Sequence, residues 1–215
     1  MADATALPLV NAALTRTGNN TITSFEQIQT GSTEAAIAAA NYDDIVNSAL
    51  ASHPWKFCTR HFELNKVDAT PDPPWKFAYE RPSDLLFLRS VQQVGQFVRW
   101  ELMSDMILCN HDNIETPLIA EYTYRPPETQ WPKPFRLAIV AALEPIFLRA
   151  IGERYDQADN RDKAAMALMG NARLRDSMHK LPDNPVQSPL LSARRGWPFR
   201  QGDPRQWDQW PWSWR

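Results

Sequence analysis

The sequence predicts an α+β fold: a four-helix bundle with a small antiparallel β domain inserted between helices 2 and 3, plus an extended C-terminal arm. Three observations lead there. Apolar residues recur at helical spacing over Ser32–Ser52 and again over Phe135–Ala150. Between these stretches, short alternating runs from Phe57 to Tyr124 have strand length and end in turn residues. Beyond Leu181 no periodicity returns and proline punctuates the chain. The expected divisions are residues 1–56 and 127–181 for the two bundle halves, 57–126 for the β insert and 182–215 for the arm.

The first helix is expected over Thr5–Thr17, with Leu7, Val10 and Leu14 on one face and Pro8 tolerated in the first turn. Gly18-Asn19-Asn20 ends it. In the second, Ser32 or Thr33 supplies a cap and Glu34 favours the positive helix end. Ala38, Tyr42, Ile45 and Ala49 share its buried face, and His53-Pro54 stops it. Strands are expected over Phe57–Leu64, Leu85–Val91, Gln96–Leu102, Met106–Cys109 and Leu118–Tyr124, in one small sheet. Pro126-Pro127, Pro132 and Pro134 mark the exit from that sheet. The third helix then runs to about Tyr155, with a kink at Pro145. The fourth spans about Asp159–His179, with small residues Ala164 and Ala167 permitting close approach. Trp55, Phe57, Trp75, Tyr79, Phe135, Ile139 and Leu143 are the expected structural core.

Composition narrows the function classes. The formal net charge is -2, which lacks the basic excess of a dedicated DNA binder. Two cysteines do not make a disulfide framework and fit synthesis in a reducing cytoplasm. Met1–Thr17 lacks the basic start and apolar run of a signal peptide. Leu137–Leu143 is too short to span a bilayer, so no membrane association is expected.

Catalytic patterns are lacking: there is no nucleophile elbow, P-loop, zincin helix or dinucleotide fingerprint. Cys58 with His61 and Cys109 with His111 supply four zinc-type ligands, but at a spacing unlike known zinc motifs. The plainer reading makes both cysteines small core residues. Asp43 and Asp44 diverge on a helix, while Asp105, Asp112 and Glu115 sit in turns, so no carboxylate pair is expected. Arg161, Lys163, Arg173, Arg175 and Lys180 are interleaved with Asp156, Asp159, Asp162 and Asp176 on the last helix. That mixed pattern suits a solvated face or intersubunit ion pairs better than a DNA surface. The chain is therefore expected to be no enzyme and to use no metal or other cofactor.

The C-terminal arm is the most unusual feature. Five of the nine tryptophans lie in its last nineteen residues, and 18 prolines stand against 7 glycines in the chain. Its aromatic and basic residues are Arg194, Arg195, Trp197, Phe199, Arg200, Trp207, Trp210, Trp212 and Trp214. Tryptophan and arginine are favoured anchors of protein interfaces, and proline lowers the entropy lost on docking. Self-packing against the bundle, stacking on single-stranded nucleic acid and a membrane interface remain alternatives.

Four stretches carry a family resemblance. Ala49-Leu50-Ala51-Ser52-His53-Pro54-Trp55-Lys56-Phe57-Cys58-Thr59-Arg60 resembles a characteristic stretch of the tail tubular protein A family of podoviruses. Head–tail connector adaptors of other phages and of gene transfer agents are similar. Trp75-Lys76-Phe77-Ala78-Tyr79-Glu80-Arg81-Pro82-Ser83-Asp84-Leu85-Leu86 resembles a second stretch of that family. Leu118–Tyr124 with Trp131-Pro132, Phe135 and the Leu137–Leu143 run resembles its sheet exit and following helix. Asn171-Ala172-Arg173-Leu174-Arg175-Asp176-Ser177 resembles its final helix. The resemblance covers roughly residues 5–180 and leaves the Trp-rich end unmatched. It implies a structural virion protein without catalytic activity, made in the host bacterial cytoplasm and located at the head–tail junction. The implied assembly is a homo-oligomeric ring of twelve subunits on the portal protein, above a tail, nozzle or stopper protein. Double-stranded DNA would pass through its lumen without sequence-specific binding, and the arm residues named above would bind the portal. An alternative from another class is a nucleic-acid-binding accessory protein that uses the Trp/Arg-rich arm.

Overall fold

The structure, a computed structural model, describes residues 3–178. The chain falls into two units, Met1–His179 and Lys180–Arg215, and the described residues lie in the first. Among the described residues, four α helices, α1 (Asp3–Thr17), α2 (Thr33–Ala51), α3 (Lys133–Ala150) and α4 (Tyr155–Ser177), flank eight strands in sequence. Short 3-10 helices at Phe25–Thr30, Lys56–Cys58 and Glu128–Gln130 join these elements.

Local chemistry sets the helix ends. Gly18 adopts φ +77°, a conformation open to glycine, and Asn19 N–H closes on Leu14 O at 2.9 Å to end α1. The Ser32 hydroxyl accepts the Ala35 N–H at 3.3 Å at the start of α2. Helix α1 begins two residues earlier than expected, so Pro8 lies beyond its first turn. Helix α3 stops at Ala150, short of the expected Tyr155, because Glu153 turns to φ +50° and Arg154 N–H bonds back to Leu148 O. The helix is continuous through Pro145.

The β portion departs most from expectation. Strands β1 (Thr59–Glu63), β8 (Leu118–Tyr124), β4 (Leu85–Gln93) and β5 (Gln96–Phe97) form one antiparallel sheet in that order. Strands β2 (Lys66–Val67), β3 (Phe77–Glu80), β7 (Met106–Cys109) and β6 (Trp100–Met103) form a second. The expected four-helix bundle with one small inserted β domain is therefore corrected to a mixed α and β fold with two four-stranded sheets. The reason lies in the cores. Helix α3 packs on α1, α2 and α4, while α1 and α2 scarcely touch, so the helices do not close a core among themselves. Phe57, Cys58, Leu86 and Tyr124, from the β portion and its entrance, complete it. A separate core of Tyr79, Leu88, Val91, Ile107, Leu118 and Tyr122 fills the space between the two sheets.

Gln96–Leu102 reads as one alternating strand but is two. Val94 and Gly95, both at positive φ, turn the chain from β4 into β5. Val98 is then buried, with its N–H on Val91 O at 2.9 Å, before the chain crosses to the second sheet at Trp100. Strand β4 carries two bulges against β8, where Leu86 and Arg89 have no register partner. A bulge re-aims its side chain. Leu86 packs on the helical core, and the Arg89 guanidinium reaches the end of α2.

Candidate interaction site

The helices and the first sheet meet at a junction built on an aromatic cluster. Trp55 leaves α2 with its indole N–H on Ala49 O at 2.9 Å. Its ring lies edge-on to Phe135 at 4.9 Å, and Trp131 approaches Phe135 at 5.2 Å in the same manner. Phe57 completes the set at 5.0 Å from Phe135 but remains half-buried. Such offset and edge-to-face pairs add about 0.5–1.5 kcal/mol each beyond area burial.

The last turn of α4 is fastened to the same place. The Asp176 carboxylate accepts the Lys56 N–H at 3.2–3.3 Å, as a capping acid at the start of a 3-10 helix does. Lys56 Nζ donates to Ser177 O at 3.3 Å, and an Arg173 Nη donates to Ser52 Oγ at 2.9 Å. His53 lies 3.7 Å from Asp176, and burial holds its imidazole below the usual range despite that carboxylate. Beside these contacts opens a groove of about 370 Å3 with Trp55, Phe57, Pro132, Pro134 and Phe135 in its lining. Arg175, Asp176 and Met178, from the end of α4, line it too. Its surface is mostly apolar and its charges stand on one helix, an arrangement suited to holding an apolar segment rather than to acid–base chemistry.

Arg89 ties this junction to the sheet. One guanidinium nitrogen donates to Ala51 O at 2.7 Å and His53 O at 2.8 Å, and Nε donates to Thr123 Oγ1 at 3.0 Å. A cation over the last carbonyls of α2 also opposes the negative end of its dipole. Two buried carboxylates hold the other helices. Glu128 accepts from Thr5 at 2.5 Å, Arg125 at 3.3 Å and Tyr42 at 3.4 Å. Burial, followed by the charge of Glu128, pushes the Tyr42 phenol well above its ordinary range. Glu144, 2% exposed within α3, is gripped by Arg16 at 3.1 Å and Arg161 at 3.2 Å.

The residues singled out in the sequence fall as follows. Trp55, Phe135, Ile139 and Leu143 are buried in the helical core, and Phe57 packs against it half-buried. Tyr79 is buried between the sheets, whereas Trp75 is buried separately with Ala78 and Leu108. Arg194, Arg195, Trp197, Phe199, Arg200, Trp207, Trp210, Trp212 and Trp214 lie outside the described residues. Cys58 and Cys109 sit in different cores, so the four candidate zinc ligands do not converge. Burial pushes the Cys58 thiol up to about 12, the opposite of an activated nucleophile. Asp43 pairs with Arg125, Asp112 with Lys66 and Asp105 with Arg81, in separate places. Among the described residues no cluster of three His, Cys, Asp or Glu is placed to hold a metal. No helix among them is long and apolar enough to cross a membrane. On α4, Arg161 turns to Glu144, while Asp159 and Asp162 both accept from Arg149 of α3.

Arg89, Glu128 and Glu144 were missed by sequence reasoning. Arg89 and Glu144 each carried a signal: a lone charge inside an apolar run must be buried with a partner or leave the face. No family model matches the chain, and no curated protein matches it.

Proposed function

We propose that the chain is a structural subunit of a tailed-phage particle, a head–tail adaptor that docks on the portal and connects it to the tail. The observation that carries this reading is that the four stretches resembling tail tubular protein A, far apart in sequence, interlock. Trp55 and Phe57 of the first pack on Phe135 of the third. Lys56 and Ser52 of the first bind Asp176 and Arg173 of the last. Arg60 of the first reaches Asp84 of the second at 2.6 Å, and Tyr122 of the third donates to the same carboxylate at 2.7 Å. The reading expects these four stretches to lie together in the fold, and they share one network of contacts.

In this reading a homo-oligomeric ring, of twelve subunits by the resemblance, closes through heterologous side contacts with the portal as template. The C-terminal arm, through its Trp and Arg residues, gives each subunit a second attachment, and linked contacts raise one another's effective concentration. A tail, nozzle or stopper protein binds below. DNA passes without sequence-specific contacts, and a net charge of -2 suits a conduit that must not hold phosphates. No catalysis or cofactor enters. The subunit is made in the bacterial cytoplasm and ends at the head–tail junction of the virion.

Deletion of Gln187–Arg215 tests the reading. The expected product is folded and soluble but does not assemble on portal rings, as scored by electron microscopy of the mixture. Normal docking by the truncated chain refutes the anchoring role. The alternation of Trp and Arg in the arm also suits single-stranded DNA, so a gel shift at physiological salt is the companion measurement. Tight binding there, with no portal docking, favours the nucleic-acid-binding alternative.

A further inference from the structure

Helix α4 is apolar on two sides, and its larger apolar side chains are on the outer one. Its buried residues are all alanine, Ala158, Ala165 and Ala172, seven apart on the face toward the rest of the fold. Met166, Leu174 and Met178 are 73%, 57% and 71% exposed. With Gly170 they form one row at four-residue spacing, and at about 100° per residue that row lies opposite the buried alanines. A helix that had only to cover α3 would turn its large apolar residues inward, where leaving water stabilises the fold.

Gly170 is out of place in the same row. It stands in the interior of a 23-residue helix, where glycine is less favourable than alanine. It has no positive φ, and a Cβ added to it would meet no atom within 4 Å. No contact among the described residues therefore asks for glycine there. A second helix crossing at this point would, because axes approach to the near end of the range of about 8–10 Å only where the crossing residues are small.

We infer that the outer row of α4 packs, antiparallel, on the same row of a second copy about a two-fold axis at Gly170. On that axis one glycine position opens both helices at once. Rows of four-residue spacing seat in each other's grooves, and Met166, four residues before the axis, meets Leu174 of the second copy, four after. Beside Met166 a groove of about 460 Å3, with Ile45, Ala49 and Met169 in its lining, has room for that leucine. Charge favours this partner and this direction. Lys163 is exposed seven residues before Gly170, so it lies opposite the last turn of the second helix, at the negative end of its dipole. The row itself carries no charge, which does not suit a phosphate backbone. Three large side chains per copy bury less than the roughly 800 Å2 per partner of a standard interface, so the pair is reversible. An isologous contact closes on itself and builds no ring, so it describes the free subunit and stands apart from the adaptor reading.

Sedimentation equilibrium of the full chain over a wide range of concentration is expected to show monomer and dimer in exchange. Leu174→Glu, on the side of α4 away from the core, is expected to weaken the pairing about tenfold and to leave the melting temperature of dilute protein unchanged. Gly170→Gln is expected to weaken it similarly while raising that melting temperature, because glutamine favours a helix interior over glycine. A nitroxide on Asn160→Cys reads the geometry, since Cys58 and Cys109 are buried and stay unlabelled. Ten residues on each side of the axis place the two labels about 30 Å apart at about 1.5 Å per residue, as double electron–electron resonance would record. A chain that is monomeric at every concentration, pairing that withstands both substitutions, or a separation far short of that distance, as a parallel pair gives, overturns the inference. So does protection of Met166 and Leu174 from hydroxyl-radical labelling in a strictly monomeric sample, which means that the chain covers its own row. Leu174→Glu is expected to dock on portal rings as the parent does. If the parent docks and the variant does not, the row belongs to the ring contact and the two-fold pair falls. If neither docks and pairing is intact, only the adaptor reading falls.

Discussion

The Arg16–Glu144–Arg161 triad makes an asymmetric prediction. The acid is 2% exposed, while the two arginine side chains keep 44% and 52% of their surface in water. At about 3 Å and an effective dielectric of about 20, each contact yields on the order of 5 kcal/mol of gross attraction, discounted by solvent at the arginine heads. Against it stands a desolvation cost of several kcal/mol for the buried carboxylate. Removing both arginines (Arg16→Met with Arg161→Met) strands that carboxylate in α3, for an expected loss of about 3–5 kcal/mol. Removing the acid (Glu144→Met) leaves two cations free to turn to water and puts an apolar chain in an apolar place, for an expected change within about 1 kcal/mol. The triple variant is expected to recover most of what the double arginine variant loses. Urea unfolding at neutral pH measures all four proteins. In a melt, 3–5 kcal/mol corresponds to roughly 6–20 °C for a chain of this size. If Glu144→Met is as damaging as the double arginine variant, the triad stabilises by attraction and the desolvation argument is wrong.

Three further outcomes concern Arg89, Val94 and Cys58. Arg89→Met uncaps α2 and frees Thr123, and should cost about 2–4 kcal/mol in chemical unfolding, with Arg89→Lys recovering only part because it lacks the fork. Val94 holds φ +50° at the tip of the β4–β5 hairpin while 79% exposed, so Val94→Asn should raise stability by about 1 kcal/mol; an unchanged or lower melting temperature counts against strain there. The Cys58 thiol rises from 9.0 to about 12 in the folded chain, so the native state keeps a proton that the unfolded chain releases above pH 9. Stability from this group is whole below pH 9 and is lost as pH rises toward 12, and Cys58→Ala should lose less than the parent between pH 8 and 10.5 in guanidinium titrations.

Much of the helical part was legible because its signals are local. Ser32 caps α2, Gly18 ends α1, and the apolar spacing of Phe135, Ile139 and Leu143 places them in the core. Leu118–Tyr124 was legible as β8 for the same reason, since its alternation reflects one face turned to a core. The two-sheet arrangement was hidden. Lys66–Val67 has two residues, too few for any period, and Phe77–Glu80 stands behind Pro71, Pro73 and Pro74. Alternation from Val98 to Leu102 runs across the passage from β5 to β6, so periodicity alone marks one strand where there are two. The junction was half legible. Its aromatic residues drew notice as core, but their role in a groove depends on Asp176 and Arg173 arriving from more than a hundred residues away. Nothing local encodes that approach.

The two bulges of β4 set where the chain tolerates a change of length. Leu86 and Arg89 stand outside the ladder and face the helices only because each interrupts the register once. One residue gained or lost between Leu85 and Ser90 would turn the guanidinium to the wrong side and leave the carbonyls at the end of α2 without their cation. The Val94–Gly95 tip has no such dependent, and an epitope or fluorophore loop grafted there would extend the molecule without disturbing the phase of any strand behind it.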